Sequence, residues 1–307
     1  RKTGFPMSLL GGKSAVLFQP KGVVGVIAPW NFPWNLTMAP LSGVLAAGNR
    51  AMIKPSEFTP ESSALMETLF KRYFKEDEIA VINGGPETGA AFASLAFDHL
   101  LFTGATSIAY HVMRAAAENL VPVTLELGGK SPVVVSPSAD IEKTAMRVMA
   151  GKTLNAGQIC LAPDYVLAPK DKAGAFVEAA KSAVKAMYPT LKDNPDYTSV
   201  VNQRHYDRIR GLLDDAKAKG AEIVEINPAN EDFSQQPHRR IPPTIVLNPT
   251  DDMRVMQEEI FGPVLPVMTY GEMPEAVAYV NAHPRPLGLY FFGPEGEADS
   301  ELAIFPA

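Results

Sequence analysis

Short runs of β-branched residues alternate with longer amphipathic stretches along the 307-residue chain. Val23–Ala28 is one such run, bounded by Gly22 and Pro29, which is typical of a buried strand. Pro60–Phe74 begins with proline and carries apolar residues at helical spacing, which predicts an amphipathic helix. Strands and helices that alternate with short turns between them predict an α/β fold with parallel sheets and right-handed crossovers.

The same patterns predict the elements of the remaining chain. The further predicted strands are Ala51–Lys54, Ile79–Ile82, His99–Phe102, Val123–Leu127, Val133–Val135, Tyr165–Leu167, Ile223–Ile226, Thr244–Leu247, Val264–Thr269 and Leu289–Phe292. The further predicted helices are Leu36–Ala47, Ile141–Leu154, Lys172–Met187, Asn202–Lys219 and Pro274–Asn281. The elements form two series that meet near Leu127, so we expect a domain boundary there.

Composition excludes several classes of protein. The single cysteine, Cys160, rules out an intrachain disulfide, and five scattered histidines give no zinc-type spacing, so we expect no metal site. The net charge is −6 with no basic patch, so we expect no nucleic-acid partner.

A membrane span is not expected either. No charge occurs between Lys21 and Arg50, but Pro29, Pro33 and Pro40 interrupt this interval. The chain does not begin with Met and both ends stop abruptly, so we expect a piece of a longer protein.

Two residues are candidates for a covalent mechanism, one as the nucleophile and the other as a general base. Cys160 lies in GQICLAPDY between a predicted helix and a predicted strand, where a thiolate could act as a nucleophile. The alternative is an inert buried cysteine. Glu126 ends a predicted strand before two glycines and could act as a general base if partly desolvated. The alternative is a solvated acid at a strand edge.

Asn31 lies in PWNFPW, where prolines fix the backbone. A rigid amide can donate to an oxyanion. The alternative is an asparagine that hydrogen-bonds its own turn.

Three further segments could contact a nucleotide. Lys54 and Glu57 follow a strand in IKPSE and could bind a ribose, or form a plain surface ion pair. Gly104 lies in FTG before a predicted helix, a setting that suits a pyrophosphate. Glu258–Val267, EEIFGPVLPV, could clamp a ribose and a flat ring, or could simply lead into a strand. The standard fingerprints GxGxxG and Walker A are missing from the sequence.

Six motifs occur in a single order: PWNFPW, IKPSE, FTG, ELGGKSP, GQIC and EEIFGPV. Together they resemble the NAD(P)-dependent aldehyde dehydrogenase superfamily, from about Gly22 to Gly293. APDY and RPLGLYFFG are similar to its coniferyl-aldehyde branch. The resemblance implies two Rossmann-like doubly wound domains. It assigns residues 1–20 to part of an oligomerisation hairpin, 21–127 to the NAD(P)-binding domain and 128–307 to the catalytic domain.

The resemblance also implies roles for individual residues. Cys160 would attack the aldehyde carbonyl, Asn31 and the Cys160 N–H would bind the oxyanion, and Glu126 would activate the water that hydrolyses the thioester. The matches to contacts with NAD or NADP are Pro29, Trp30, Lys54, Glu57, Gly104, Glu259 and Phe261. The implied partner is a small aldehyde, either aromatic, such as coniferyl aldehyde, or medium-chain and apolar. The implied full-length protein is a cytoplasmic homodimer or homotetramer.

Two other functions remain open. One is a CoA-acylating dehydrogenase, which the retained Glu126 disfavours, and the other is an inactive binding homologue. The sequence also departs from the family pattern after FTG, with Ala105 in place of a frequent serine, Ala109 in place of glycine and Tyr110 in place of a frequent arginine. We expect Ala109 to weaken cofactor binding or to shift the helix that carries it. An unchanged cofactor dissociation constant in the Ala109→Gly variant would contradict this expectation.

Overall fold

A computed structural model of the chain describes residues 5–6 and 9–297. The chain divides into two compact units, Arg1–Glu126 and Leu127–Ala307, called the first and second unit below.

The first unit contains a five-stranded, wholly parallel sheet. Its strands are β1 (Val23–Ile27), β2 (Arg50–Lys54), β3 (Ile79–Val81), β4 (His99–Thr103) and β5 (Val123–Glu126), and its helices are α1 (Asn35–Ala46), α2 (Pro60–Tyr73), α3 (Pro86–Ala93) and α4 (Thr106–Ala117). The strand order is β3-β2-β1-β4-β5. The order of the chain therefore reverses between β1 and β4, and open α/β sheets bind ligands outside the carboxyl ends of strands at such a point.

Helices lie on both faces of this sheet. Val24 and Val26 point to one face, where they pack with Leu41 of α1 and Met66 of α2. Gly25 points to the other face, where a Cβ would lie 2.7 Å from the ring of Phe97. Helix α3 contacts β1 and α4. The absence of a side chain at Gly25 therefore allows an aromatic ring to lie directly on the sheet.

The second unit contains a six-stranded sheet. Its strands are β6 (Pro132–Val135), β7 (Tyr165–Pro169), β8 (Glu222–Glu225), β9 (Thr244–Leu247), β10 (Val264–Tyr270) and β11 (Tyr290–Phe292), and its helices are α5 (Ile141–Thr153), α6 (Ala173–Met187), α7 (Gln203–Ala218), α8 (Arg254–Gln257) and α9 (Met273–Asn281). The strand order is β11-β6-β7-β10-β9-β8, and α5 and α6 pack on one face while α7, α8 and α9 pack on the other.

Strand β8 departs from the expected parallel pairing, because it pairs with β9 in antiparallel fashion and the sheet of the second unit is mixed. Residues 226–243, which connect these strands, contain no helix. A parallel pair needs a crossover connection, usually a helix, whereas an antiparallel pair does not.

Residues 1–20, which we expect to be part of an oligomerisation hairpin, are described only in part, so this expectation stays a prediction. Residues 12–20 contain no strand, and residues 1–4, 7 and 8 lie outside the described residues. A strand needs a partner for its backbone hydrogen bonds, and no described strand pairs with this segment. Its large apolar side chains are exposed: Phe5, Leu9, Leu10, Val16, Leu17 and Phe18.

Within residues 5–6 and 9–297, no helix has the length and apolar character needed to cross a bilayer.

Candidate functional site

Asn31 lies just beyond the carboxyl end of β1. The β1–β2 ladder continues one residue past the strand, because the Ala28 N–H donates to the Lys54 carbonyl at 3.0 Å. The turn that carries Asn31 then leads into α1, and the Thr37 hydroxyl donates to the Pro33 carbonyl at 2.6 Å. Asn31 is partly buried. The turn therefore starts at the sheet edge beside the switch point, together with Pro29 and Trp30.

Lys54 and Glu57 form a partly buried ion pair at the carboxyl end of β2. The Lys54 side chain is only 5% exposed, and its ammonium donates to the Pro55 carbonyl at 2.8 Å and to Glu57 Oε2 at 3.3 Å. Gly89 of α3 lies over the lysine stem, since a Cβ there would be 3.4 Å from Lys54 Cε. The pair is therefore not an ordinary surface ion pair. An ammonium has three donors, so one remains to meet a sugar hydroxyl beside an accepting carboxylate.

Gly104 and Glu126 lie at the ends of the neighbouring strands β4 and β5. The Gly104 N–H donates to the Glu126 carbonyl at 3.0 Å. A Cβ at Gly104 would lie 2.7 Å from the Phe102 ring, so a larger residue here would require that ring to move. The Glu126 residue is exposed rather than desolvated. Ala109 is buried on α4, which begins at Thr106, and its effect on cofactor binding stays a prediction.

Cys160 of the second unit follows an unusual turn at the end of α5. Asn155, Ala156 and Gly157 all have left-handed backbone, with φ of 50°, 51° and 73°. A Cβ on Gly157 would overlap the backbone carbonyl of Gly262. The loop that carries the partly buried Cys160 is therefore in backbone contact with the EEIFGP loop.

The buried amide of Gln158 fixes the same loop. This residue is 2% exposed. Its Nε2 donates to the carbonyls of Asn155 at 2.9 Å and Ser199 at 3.1 Å, and its Oε1 accepts from the Val201 N–H at 3.0 Å. All three contacts are to backbone groups, so Gln158 ties the cysteine loop to the segment before α7.

Glu259 lies against the two glycines of ELGGKSP. A Cβ on Gly128 would overlap the Glu259 carboxylate, and the Gly129 N–H donates to that carboxylate. Burial raises the pKa of Glu259 to about 7, while the Gly129 hydrogen bond and the positive charges nearby oppose this rise. Phe261 follows with a left-handed φ of 47°. Its backbone is strained, as is frequent at functional loops.

A buried ion pair fixes the position of the EEIFGP loop through contacts with its backbone and with the segment just before it. The ammonium of Lys130 pairs with Asp164, which is 3% exposed at its side chain. Lys130 also donates to the carbonyls of Val255 at 2.8 Å and Glu258 at 3.2 Å, and Asp164 accepts from the Ile260 N–H at 3.0 Å. The motifs ELGGKSP, APDY and EEIFGP thus meet at one ion pair, although sequence reasoning gave neither partner a role.

Arg208 of α7 also hydrogen-bonds to the backbone of the EEIFGP loop. Its guanidinium donates to the carbonyls of Glu259 at 3.3 Å and Ile260 at 2.5 Å. Nothing in the sequence distinguishes this arginine from the other basic residues of α7. The presence of Lys130 and Asp164 inside recognised motifs was, by contrast, a usable signal.

Each unit therefore carries its own set of candidate site residues. In the first unit they lie at the carboxyl edge of the parallel sheet, and in the second unit they lie around the loop of Cys160.

The chain belongs to the aldehyde dehydrogenase family, whose sequence model matches residues 2–299. Among curated relatives, it is 69% identical to the "Probable coniferyl aldehyde dehydrogenase" of Caulobacter vibrioides, over 97% of this chain and 61% of that protein. It is 57% identical to the coniferyl aldehyde dehydrogenase of a Pseudomonas species, over 92% of this chain and 59% of that protein. The chain thus spans less than two thirds of their length.

Solved structures agree with this assignment. The fold is similar to substrate-bound AldH from Staphylococcus aureus, with a TM-score of 0.87, 40% identity, and coverage of 94% of this chain and 62% of that chain. It is also similar to an aldehyde dehydrogenase from Mycobacterium tuberculosis in complex with NAD⁺, with a TM-score of 0.83, 29% identity, and coverage of 93% and 60%.

Proposed function

We propose that the full-length protein that contains this chain oxidises an aldehyde to a carboxylic acid, with NAD⁺ or NADP⁺ as the hydride acceptor. The observation that carries this proposal is the fixed loop of Cys160, in backbone contact with the loop of Glu259. A lone thiol on a preset loop suits covalent catalysis, because its position does not depend on substrate binding. The two coniferyl aldehyde dehydrogenase relatives support an aromatic aldehyde such as coniferyl aldehyde as the substrate.

The proposed reaction has two stages. The Cys160 thiolate forms a bond to the carbonyl carbon, and the Asn31 amide and the Cys160 N–H donate to the resulting oxyanion. When bound, a nicotinamide would supply the acceptor for the hydride that leaves this carbon. Loss of the hydride would convert the hemithioacetal on Cys160 to a thioester. Glu126 then takes a proton from water, whose oxygen attacks the thioester carbon, and the C–S bond breaks to release the carboxylic acid.

The residues present fit a dinucleotide. Lys54 offers a donor and Glu57 an acceptor, which matches the vicinal hydroxyls of an adenosine ribose. The Glu259 carboxylate offers acceptors for the ribose next to the nicotinamide. We assign further contacts with the cofactor to Pro29, Trp30, Gly104 and Phe261. We further propose that residues 21–127 form the NAD(P)-binding domain and residues 128–307 the catalytic domain. We propose that the full-length protein is a homodimer or homotetramer.

Substitution of Cys160 tests the proposal. In the full-length protein, Cys160→Ala should lower aldehyde-dependent formation of reduced cofactor by at least about a thousandfold. Glu126→Gln should leave one rapid turnover per site and slow the following turnovers, because the thioester accumulates. Glu118→Gln, an exposed acid beyond α4, is the matched control and should behave as wild type.

Three results would contradict this function. The wild-type protein could form no reduced cofactor with any aldehyde of an aromatic and aliphatic panel. The Cys160→Ala protein could keep its activity. Turnover that requires coenzyme A and yields an acyl-CoA would instead establish the CoA-acylating alternative.

A further inference from the structure

Lys152 is a lysine buried in the core of the second unit. It lies near the end of α5 and is 0% exposed, and its ammonium has no hydrogen-bond partner within residues 5–6 and 9–297. Burial lowers the pKa of this ammonium to about 8. Taking an ammonium out of water without a partner is costly. When Lys152 is protonated, its charge interacts with nearby ionisable groups more strongly than an exposed charge would, because little water screens it.

The charges that act on Lys152 come from four different segments: Asp164, Lys130, Glu259 and Arg208. Two of these residues, Lys130 and Arg208, are cations that already have hydrogen-bond or ion-pair partners. Lys130 pairs with Asp164 and donates to two carbonyls, and Arg208 donates to two other carbonyls and lies 3.6 Å from Glu258. Among these three cations, Lys152 is therefore the one whose ammonium is not committed to backbone groups or to another acid.

Glu259 is the acid that this uncommitted charge affects. Its surroundings are the Gly129 N–H, the anionic Asp164, which raises the pKa of Glu259, and the cationic Lys152 and Arg208, which lower it. Burial, which is the largest cause, together with these groups raises the pKa of Glu259 to about 7, so a change in one nearby charge alters how much of the acid is ionised near neutral pH. The ionised carboxylate is an acceptor at both oxygens, whereas the protonated acid carries an O–H donor on one of them.

We propose that Lys152 is a positioning residue that keeps the Glu259 carboxylate ionised, so that both carboxylate oxygens can accept hydrogen bonds from the ribose next to the nicotinamide. This inference rests on the proposed function, because it requires Glu259 to contact the cofactor. It assigns Lys152 an electrostatic role through Glu259 and no contact with the reacting atoms.

The test is the pH dependence of NAD⁺ binding to the full-length protein, measured without aldehyde by calorimetry or by quenching of tryptophan fluorescence. Without the ammonium, Glu259 should hold its proton to higher pH. In Lys152→Met, which keeps the side-chain volume, the acid limb of binding should move up by about one pH unit. The dissociation constant should rise about three- to tenfold at about pH 7 and should return towards the wild-type value above about pH 9.

Two controls isolate the electrostatic role. Lys143→Met removes an exposed lysine of the same helix and should leave the profile unchanged. Glu259→Gln should remove the acid limb, and Lys152→Met should then add no pH-dependent effect. If Lys152→Met does not fold, the smaller neutral variant Lys152→Gln should show the same shift.

Equal weakening of binding at every pH between about 6 and about 9, or a shift that persists in the Glu259→Gln background, would overturn the role of Lys152. Either result leaves the proposed function intact, provided that wild type binds NAD⁺. Absence of binding of both NAD⁺ and NADP⁺ to wild type would overturn both proposals.

Discussion

The Cα of Gly157 lies against the carbonyl oxygen of Gly262, with no space for a Cβ between them. This contact joins the loop of Cys160 to the loop of Glu259 through backbone atoms alone. Side chains can change rotamer to relieve a collision, whereas backbone groups can separate only if a loop moves. The relative position of the two loops therefore depends on the absence of one side chain.

Gly157→Ala should disturb both stability and activity. The left-handed φ of 73° alone costs roughly 1–2 kcal/mol for a non-glycine residue, and the collision with Gly262 adds to this. We expect the free energy of unfolding to fall by at least about 2 kcal/mol in urea denaturation. Gly174→Ala on α6 has open space and ordinary backbone, so it should be neutral or slightly stabilising. Equal stability of the two variants would contradict this account of the contact.

Gln158→Ala should unfold at lower denaturant concentration. The substitution leaves two carbonyls and one N–H without the partner that they have now, at a cost of about 1–3 kcal/mol. Gln203→Ala is the matched control, since that exposed glutamine donates to the side chain of Asp207 at the surface and its loss should change stability by less than about 0.5 kcal/mol. A small effect at Gln158 would mean that water replaces its contacts.

Glu57→Gln should shift cofactor preference towards NADP⁺. The carboxylate beside Lys54 repels a 2′-phosphate, whereas an uncharged amide leaves the ammonium to attract it. We expect the ratio of the dissociation constants for NADP⁺ and NAD⁺ to fall about tenfold in binding titrations. Glu61→Gln, an exposed acid in the first turn of α2, should leave the ratio unchanged. An unchanged ratio in Glu57→Gln would place the 2′-position away from this side chain.

His205→Gln should make the protein less sensitive to acid. Burial, assisted by Arg208 and Arg204, lowers the pKa of His205 to about 4 in the folded state, from 6.5. Between these values the unfolded chain takes up a proton that the folded chain does not, so stability falls as pH falls. Between about pH 7 and about pH 4, wild type should lose about 2 kcal/mol more stability than the variant in urea titrations.

The control for this prediction is His111→Gln, which removes an exposed histidine of α4. Its loss of stability over the same pH interval should equal that of wild type. If the losses for wild type and His205→Gln are also equal, His205 takes up its proton in the folded state as readily as in the unfolded state.

Local patterns predicted most of the elements, because most strands are short apolar runs between turn residues. Strand β9 has the predicted bounds, and β1 ends one residue earlier than predicted. Helix α8 was missed, because four residues are too few to show a helical period. The antiparallel direction of β8 was also missed, since the alternation within a strand does not record the direction of its neighbour.

The sequence also predicted only part of the candidate site. Sequence motifs singled out Cys160, Lys54 and Glu259 as candidates, but did not indicate the burial of Lys54 or the charges around Glu259. Lys152 and Arg208 could not be singled out, because the acids near Lys152 and the carbonyls that Arg208 contacts belong to other segments and approach them only in the folded protein. For example, Arg208 and Ile260 are 52 residues apart in sequence.

The left-handed turn at Asn155 and Ala156 has a consequence for ligand binding. Two non-glycine residues in this conformation persist only where the surrounding structure determines them, at a cost of roughly 1–2 kcal/mol each. Folding itself supplies this free energy and removes the conformational freedom of the loop at the same time. An arriving ligand then has little chain entropy to remove from the loop of Cys160, so more of its contact energy remains for affinity.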